Sequence, residues 1–128
     1  DKGFQVVFTD YDEAPFHFIR RSIMENGLDP AKAEMRRLDW RQLPAERYPV
    51  ILGSDVLYET RLVPLVAEVL ARLLDPGGLG LIATPLRVAA EGFPAALAER
   101  ALDCLSEPLS GLDENGRPVR GTLFRVTR

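Results

Sequence analysis

Three groups of residues in this sequence have types and spacings suited to chemistry. The first is Asp10, next to Tyr11, directly after the apolar run Phe4 to Thr9. A carboxylate just past a parallel strand can accept two hydrogen bonds from a ribose diol, as the acidic residue of dinucleotide-binding folds does. It can equally serve as a second helix-capping acid beside Asp12. The second group is Asp39 and Trp40, an acid at the end of a weaker, charged strand, joined by the chain's single tryptophan. The acid can accept from an adenine amino group while the indole packs near the base; alternatively, the indole covers a sheet edge. The third group is Ser54, Asp55 and Tyr58, which follow Val50-Ile51-Leu52-Gly53. A charge beyond so apolar a strand is costly unless it is solvated or paired. If residues 55–58 form a helical turn, Asp55 and Tyr58 share a face. They could then hold an amine, the carboxylate by charge and the ring by cation–π attraction. A solvated acid beside a half-buried tyrosine is the plainer alternative.

Other chemistries lack their residues. With one histidine, His17, and one cysteine, Cys104, a zinc site has too few ligands. There is no Gly-x-Ser-x-Gly elbow, phosphate-binding Gly-x-x-x-x-Gly-Lys loop or His-Glu-x-x-His pair. His17 lies off the apolar stripe of its segment and reads as a surface residue. Cys104 ends an apolar helical pattern and reads as a small buried hydrophobe, consistent with a reducing, cytoplasmic setting.

The elements that position these groups follow from hydrophobic spacing. Tyr48 to Pro85 is the organising stretch: a buried strand, an acidic loop, an amphipathic helix, a stop and a second buried strand. A unit of this length is a right-handed βαβ crossover in a parallel sheet, where ligands bind beyond the carboxyl ends of the strands. Val50 to Gly53 is expected to be a central, buried strand. Leu62, Leu65, Val66, Val69, Leu70 and Leu73 recur at helical spacing and form one broad apolar face, with Pro64 in the first turn. Asp75-Pro76-Gly77-Gly78 ends that helix and Leu79 to Ala83 is the next strand.

Upstream, Phe4 to Thr9 predicts a strand, and Asp12 with Pro15 predicts a helix start. Phe16, Ile19 and Ile23 mark the buried face of that helix and Asn26-Gly27 its end. Ala33 to Leu38 predicts an edge strand, and 43–47 a loop with room for one helical turn. Downstream, Phe93, Leu97, Ala101 and Cys104 predict a helix. The segments 105–112 and 119–127 flank Asp113-Glu114-Asn115-Gly116 and predict a hairpin. The fold class is α/β: a three-layer αβα sheet, mostly parallel, with an antiparallel C-terminal strand.

Composition bounds the partners. The 128 residues suffice for one domain with a modest core. A net charge of −3 gives no basic footprint for nucleic acid. No stretch approaches the roughly 20 apolar residues of a membrane-spanning helix, and the first residues do not read as a signal peptide.

Taken together, Thr-Asp-Tyr-Asp-Glu-Ala-Pro (9–15), Leu-Asp-Trp (38–40), Ile-Leu-Gly-Ser-Asp-Val-Leu-Tyr-Glu (51–59) and Leu-Asp-Pro-Gly-Gly (74–78) occur in an order and spacing that resembles a known family. It resembles the class I, seven-β-strand, Rossmann-like S-adenosylmethionine-dependent methyltransferases, and among them the protein-lysine methyltransferase-like group with an Asp-x-x-Tyr motif. The likeness runs from residue 4 to the C-terminus, and the closing segment looks like that fold's antiparallel last strand. The resemblance implies that Asp10, with Tyr11 beside it, binds the cofactor ribose, that Asp39 and Trp40 lie at the adenine, and that Ser54 lies near the cofactor. It implies that Asp55 and Tyr58 stand at the methyl-accepting group, a protein lysine or a small-molecule amine. In such enzymes the task is to align nucleophile, methyl carbon and sulfur, and an acceptor arriving as a neutral amine needs no strong base. The family's first strand and glycine-rich loop have no counterpart in the sequence. They are expected upstream of Asp1, so residues 1–128 are expected to be most of one methyltransferase domain.

Two readings of other classes stay open at this point. Asp10, Asp12 and Asp55 after successive strands also suit a phospho-acceptor receiver, although Thr84-Pro85 stands where a receiver wants a lysine. A non-catalytic Rossmann-like remnant acting through a partner is the third.

Overall fold

In the computed structural model, which describes residues 3–128, the chain divides into two compact units, Asp1–Gln42 and Leu43–Arg128.

The first unit holds strand β1 (Val6–Asp10), helix α1 (Ala14–Glu25) and strand β2 (Ala33–Arg37). The two strands pair in parallel, from Val6 opposite Ala33 to Asp10 opposite Arg37. Asp12 does not occupy the cap position expected of it. Glu13 does, while the Asp12 carboxylate accepts the Ala14 amide at 3.0 Å, so it supports the helix start from one residue further out. Pro15 falls in the first turn, where its missing N–H costs nothing. Phe16 and Ile23 are buried on the inner face. Gly27, at φ +62°, closes the helix as Leu28 N–H bonds back to Ile23 O at 3.0 Å, a Schellman-type end that needs a left-handed residue. A 3₁₀ turn, Pro30–Lys32, capped by the Asp29 side chain, then delivers the chain to β2.

The second unit holds β3 (Tyr48–Ser54), α2 (Leu62–Leu73), β4 (Leu74–Pro85), α3 (Phe93–Ala98), β5 (Asp103–Leu112) and β6 (Pro118–Thr127). Its strand order is β3-β4-β6-β5. β3 and β4 run parallel, and β6 is antiparallel to both β4 and β5. The expected βαβ unit is therefore β3-α2-β4, and the last strand is the antiparallel one. That insertion does not belong to the all-parallel sheet of a receiver, which removes that alternative.

The core of this unit lies between the sheet and its helices. On α2, Leu62, Val63, Val66, Ala67, Val69, Leu70 and Leu73 are buried, each large one contributing about 1.5–3 kcal/mol on removal from water. Against them stand Ile82 of β4 and Phe124 and Val126 of β6. A side chain at Gly80 would meet Leu70 Cδ2 at 2.9 Å, so glycine lets α2 approach β4. Phe93 packs edge-on to Phe124, with ring centres 5.2 Å apart. The hairpin turn is built by Asp113, whose carboxylate accepts the amides of Asn115 and Arg117, with Gly116 at φ +75°.

Three expectations need correction. β3 is an edge strand of its four-stranded sheet, with Val50 and Leu52 exposed, because within this unit it hydrogen-bonds to β4 alone. Asp75–Gly78 lies inside β4 as an irregularity in its register with β3, since helix α2 turns directly into strand at Leu74. Residues 43–47 form the expected loop, without a helical turn. Helix α3 stops at Ala98, so Ala101 and Cys104 are not part of it. Ala101 takes φ +58° and Leu102 N–H returns to Leu97 O at 3.0 Å, which buries Leu102 and starts β5. Cys104 is a half-buried strand residue whose thiol is pushed up in pKa by burial, partly offset by a hydrogen bond with Ser106.

Candidate functional site

Each predicted acid stands at or just beyond the carboxyl end of a parallel strand, where side chains leave the sheet and can meet a ligand. In the first unit Asp10 closes β1. Its Oδ1 accepts the Asp12 amide at 2.9 Å, and its carbonyl accepts the Leu38 amide at 2.9 Å. The local turn thus fixes the carboxyl group while, among the described residues, Oδ2 keeps both lone pairs for a ligand. The Asp10 side chain therefore suits a diol.

Tyr11 and Asp39 are brought together by two arginines. The Arg37 guanidinium lies 5.3 Å from the Tyr11 ring centre, and its Nε donates to the Tyr11 carbonyl at 3.0 Å. Arg41 lies 6.0 Å from the same ring and forks onto Asp39, Nε to Oδ1 and Nη2 to Oδ2, both at 3.0 Å. The Arg41 amide adds a third bond to Asp39 Oδ1 at 2.9 Å. These bonds, the side-chain one foremost, hold the Asp39 carboxyl below its ordinary pKa. Oδ1 is then fully used and Oδ2 retains one acceptor site, enough for one N–H. Trp40 follows at the turn, half-buried.

In the second unit Ser54 ends β3, exposed and paired in register with Ala83. Asp55 follows at φ +51°, a left-handed conformation uncommon for a residue with a side chain. Its amide extends the ladder by donating to Ala83 O at 2.8 Å, and its carboxylate receives both arms of Arg87, Nε to Oδ1 and Nη2 to Oδ2, each at 2.8 Å. The pair is partly exposed, and the carboxylate raises the Arg87 pKa above its already high value, mainly through the hydrogen bond. Residues 55–58 are not the helical turn the spacing suggested; α2 begins only at Leu62. Leu57, fully buried, plugs the loop from below and leaves Asp55 and Tyr58 on either side of it near the surface. Gly53 serves the same packing, since a side chain there would meet Ile82 Cδ1 at 2.7 Å.

Sequence reasoning missed the arginines and Leu57. Arg41, two residues from Asp39, was a readable signal. Arg87 was not, because only the pairing of β3 with β4 carries it to Asp55, 32 positions away.

A family model described as lysine methyltransferase matches residues 1–93, a span that includes every residue of the candidate site. The chain belongs to the lysine methyltransferase family. Solved structures give the same fold. A structure from Thermoplasma acidophilum assigned as a methyltransferase shares 12% identity with this chain, at a TM-score of 0.75, over 95% of this chain and 56% of that one. An S-adenosylmethionine-dependent methyltransferase from Methanosarcina mazei shares 11%, at 0.77, over 99% and 83%. The [4+2]-cyclase SpnF shares 12%, at 0.68, over 99% and 67%. At these identities the likeness carries the class I methyltransferase fold and not an activity, and the cyclase illustrates the difference. This chain spans little more than half the length of the Thermoplasma structure. A comparison with curated protein sequences gave no match. No described helix is long and apolar enough to cross a membrane.

Proposed function

We propose that this protein moves a methyl group from S-adenosylmethionine to an amine, with a protein lysine as the favoured acceptor. Asp10 takes the ribose hydroxyls on its open Oδ2. Asp39 accepts the adenine amino group on its remaining site, with Trp40 beside the base and Tyr11, stacked by its arginines, closing the same end. Ser54 sits next to the cofactor, and Asp55 and Tyr58 hold the acceptor amine. The bound cofactor supplies an electrophilic methyl carbon; the protein's part is to hold the incoming nitrogen in line with it. Both units are read as parts of one methyltransferase domain, which the family match supports by running across the boundary at Gln42.

The observation that carries this reading is the coincidence of position and family. All seven assigned residues fall inside the matched span, and the three carboxylates among them stand at strand carboxyl ends with acceptor sites to spare. The test is transfer of labelled methyl groups to polylysine and to free amines. Asp55→Ala is expected to lose transfer while keeping its affinity for S-adenosylhomocysteine, and Asp10→Ala to lose that affinity. Equal loss of affinity in both variants refutes the division of roles.

A further inference from the structure

The geometry points to Arg87 as a positioning residue that sets the acceptor site to take an amine in its neutral form. This rests on the assignment of Asp55 to the acceptor made above. The Asp55 carboxylate is fixed from both ends. Its backbone is held by the amide bond to Ala83 O, and its oxygens by the Arg87 fork at 2.8 Å and 2.8 Å. Arg87 is itself placed by backbone. The neighbouring Leu86 amide donates to Arg120 O at 3.3 Å, and the Ala90 amide to Arg87 O at 3.1 Å. A side-by-side fork uses one lone pair of each oxygen and leaves one on each. The carboxylate can therefore still accept an N–H from a ligand.

The charges settle which ligand. Asp55 and Arg87 sum to zero, so an approaching ammonium meets nearly as much repulsion as attraction, whereas a neutral amine that donates an N–H is hardly affected. Methyl transfer demands the neutral form. The nitrogen lone pair forms the new bond to the methyl carbon, the carbon–sulfur bond pair passes to sulfur, which turns from sulfonium to thioether, and the alkylammonium product gives its proton to water. A bare carboxylate would instead hold lysine as the ammonium, which has no lone pair to give. Arg87 cancels that trap while keeping the hydrogen-bond acceptor in place. Both side chains are more than a third accessible, so the effect is modest and screened by salt.

The probe is n-butylamine, a lysine side-chain analogue, titrated at low salt into the protein saturated with S-adenosylhomocysteine, from about pH 7 to about pH 10. Binding is followed by NMR. Wild-type affinity for total probe should rise roughly tenfold per pH unit as the neutral fraction grows. R87Q should bind about tenfold more tightly at neutral pH, which flattens the rise below about pH 8 and leaves affinity near that of the wild type above it. R87K keeps the charge and should keep the pH dependence, while D55N should abolish the difference between arginine and glutamine. A pH dependence unchanged in R87Q overturns the inference, and so does R87K behaving as R87Q, which would leave Arg87 a merely structural role. Calorimetry with S-adenosylhomocysteine separates the two levels. Failure of the wild type to bind it overturns the methyltransferase reading and this inference together. Normal binding with a flat butylamine response in the wild type overturns this inference alone.

Discussion

Leu57 is where packing and the candidate site meet. It is fully buried, yet it lies in the loop between β3 and α2, flanked by Asp55 and Tyr58. Truncation to alanine removes three carbons from a site with no access to water. Such changes cost about 2–5 kcal/mol, depending on how far the surroundings collapse. A loop can close up more readily than a strand, so the lower half, about 2–3 kcal/mol, is expected, a large part of the roughly 5–15 kcal/mol a domain commands. Asp55 keeps its second restraint, the Arg87 fork, whereas among the described residues no hydrogen bond holds the Tyr58 hydroxyl. The variant should therefore lose methyl transfer more than cofactor affinity. Urea unfolding gives the stability change, read as a shifted midpoint at unchanged slope, with Val88→Ala, at 82% exposure, as a control expected within about 0.5 kcal/mol. A Leu57→Ala shift no larger than the control refutes the claim that this side chain anchors the loop.

Two further predictions concern local chemistry. Asp39 is held below its ordinary pKa mainly by Arg41, so its pairing stabilises the fold at neutral pH, and that contribution fades as pH falls through the depressed value; Arg41→Met should move the Asp39 titration up toward the ordinary value in carboxylate NMR, and an unmoved titration contradicts the assignment. Ala101 occupies φ +58°, where glycine is unstrained, so Ala101→Gly should raise stability by about 0.5–1 kcal/mol in thermal or urea unfolding, and a loss would show that the turn is not strained.

Much of the architecture was legible because its signals are periodic or local. The α2 stripe, the hairpin turn at Asp113–Gly116 and the acids after apolar runs each follow from residues close in sequence. What escaped depends on long-range placement. Val50-Ile51-Leu52 reads as buried by composition, but exposure is set by which strands pair, and β3 has one partner in its unit. The end of α3 was hidden because alanine, an excellent helix former, takes the left-handed position usually marked by glycine. The same logic explains the site. Asp10 and Asp55 announced themselves as charges after apolar strands, and Asp39 by the tryptophan beside it, while the arginine that holds Asp55 lies across a strand pair.

The central claim is that this chain belongs to a working methyltransferase whose cofactor is held through Asp10. Calorimetric titration of S-adenosylhomocysteine into the protein, Asp10→Ala and Asp55→Ala tests it most directly. The account predicts binding to the wild type, a loss of about 10- to 100-fold in Asp10→Ala, from hydrogen bonds to a charged acceptor worth about 1.5–3 kcal/mol, and unchanged affinity in Asp55→Ala. Absence of binding to the wild type, or full affinity in Asp10→Ala, would contradict it, and the first of these would favour a non-catalytic role through a partner.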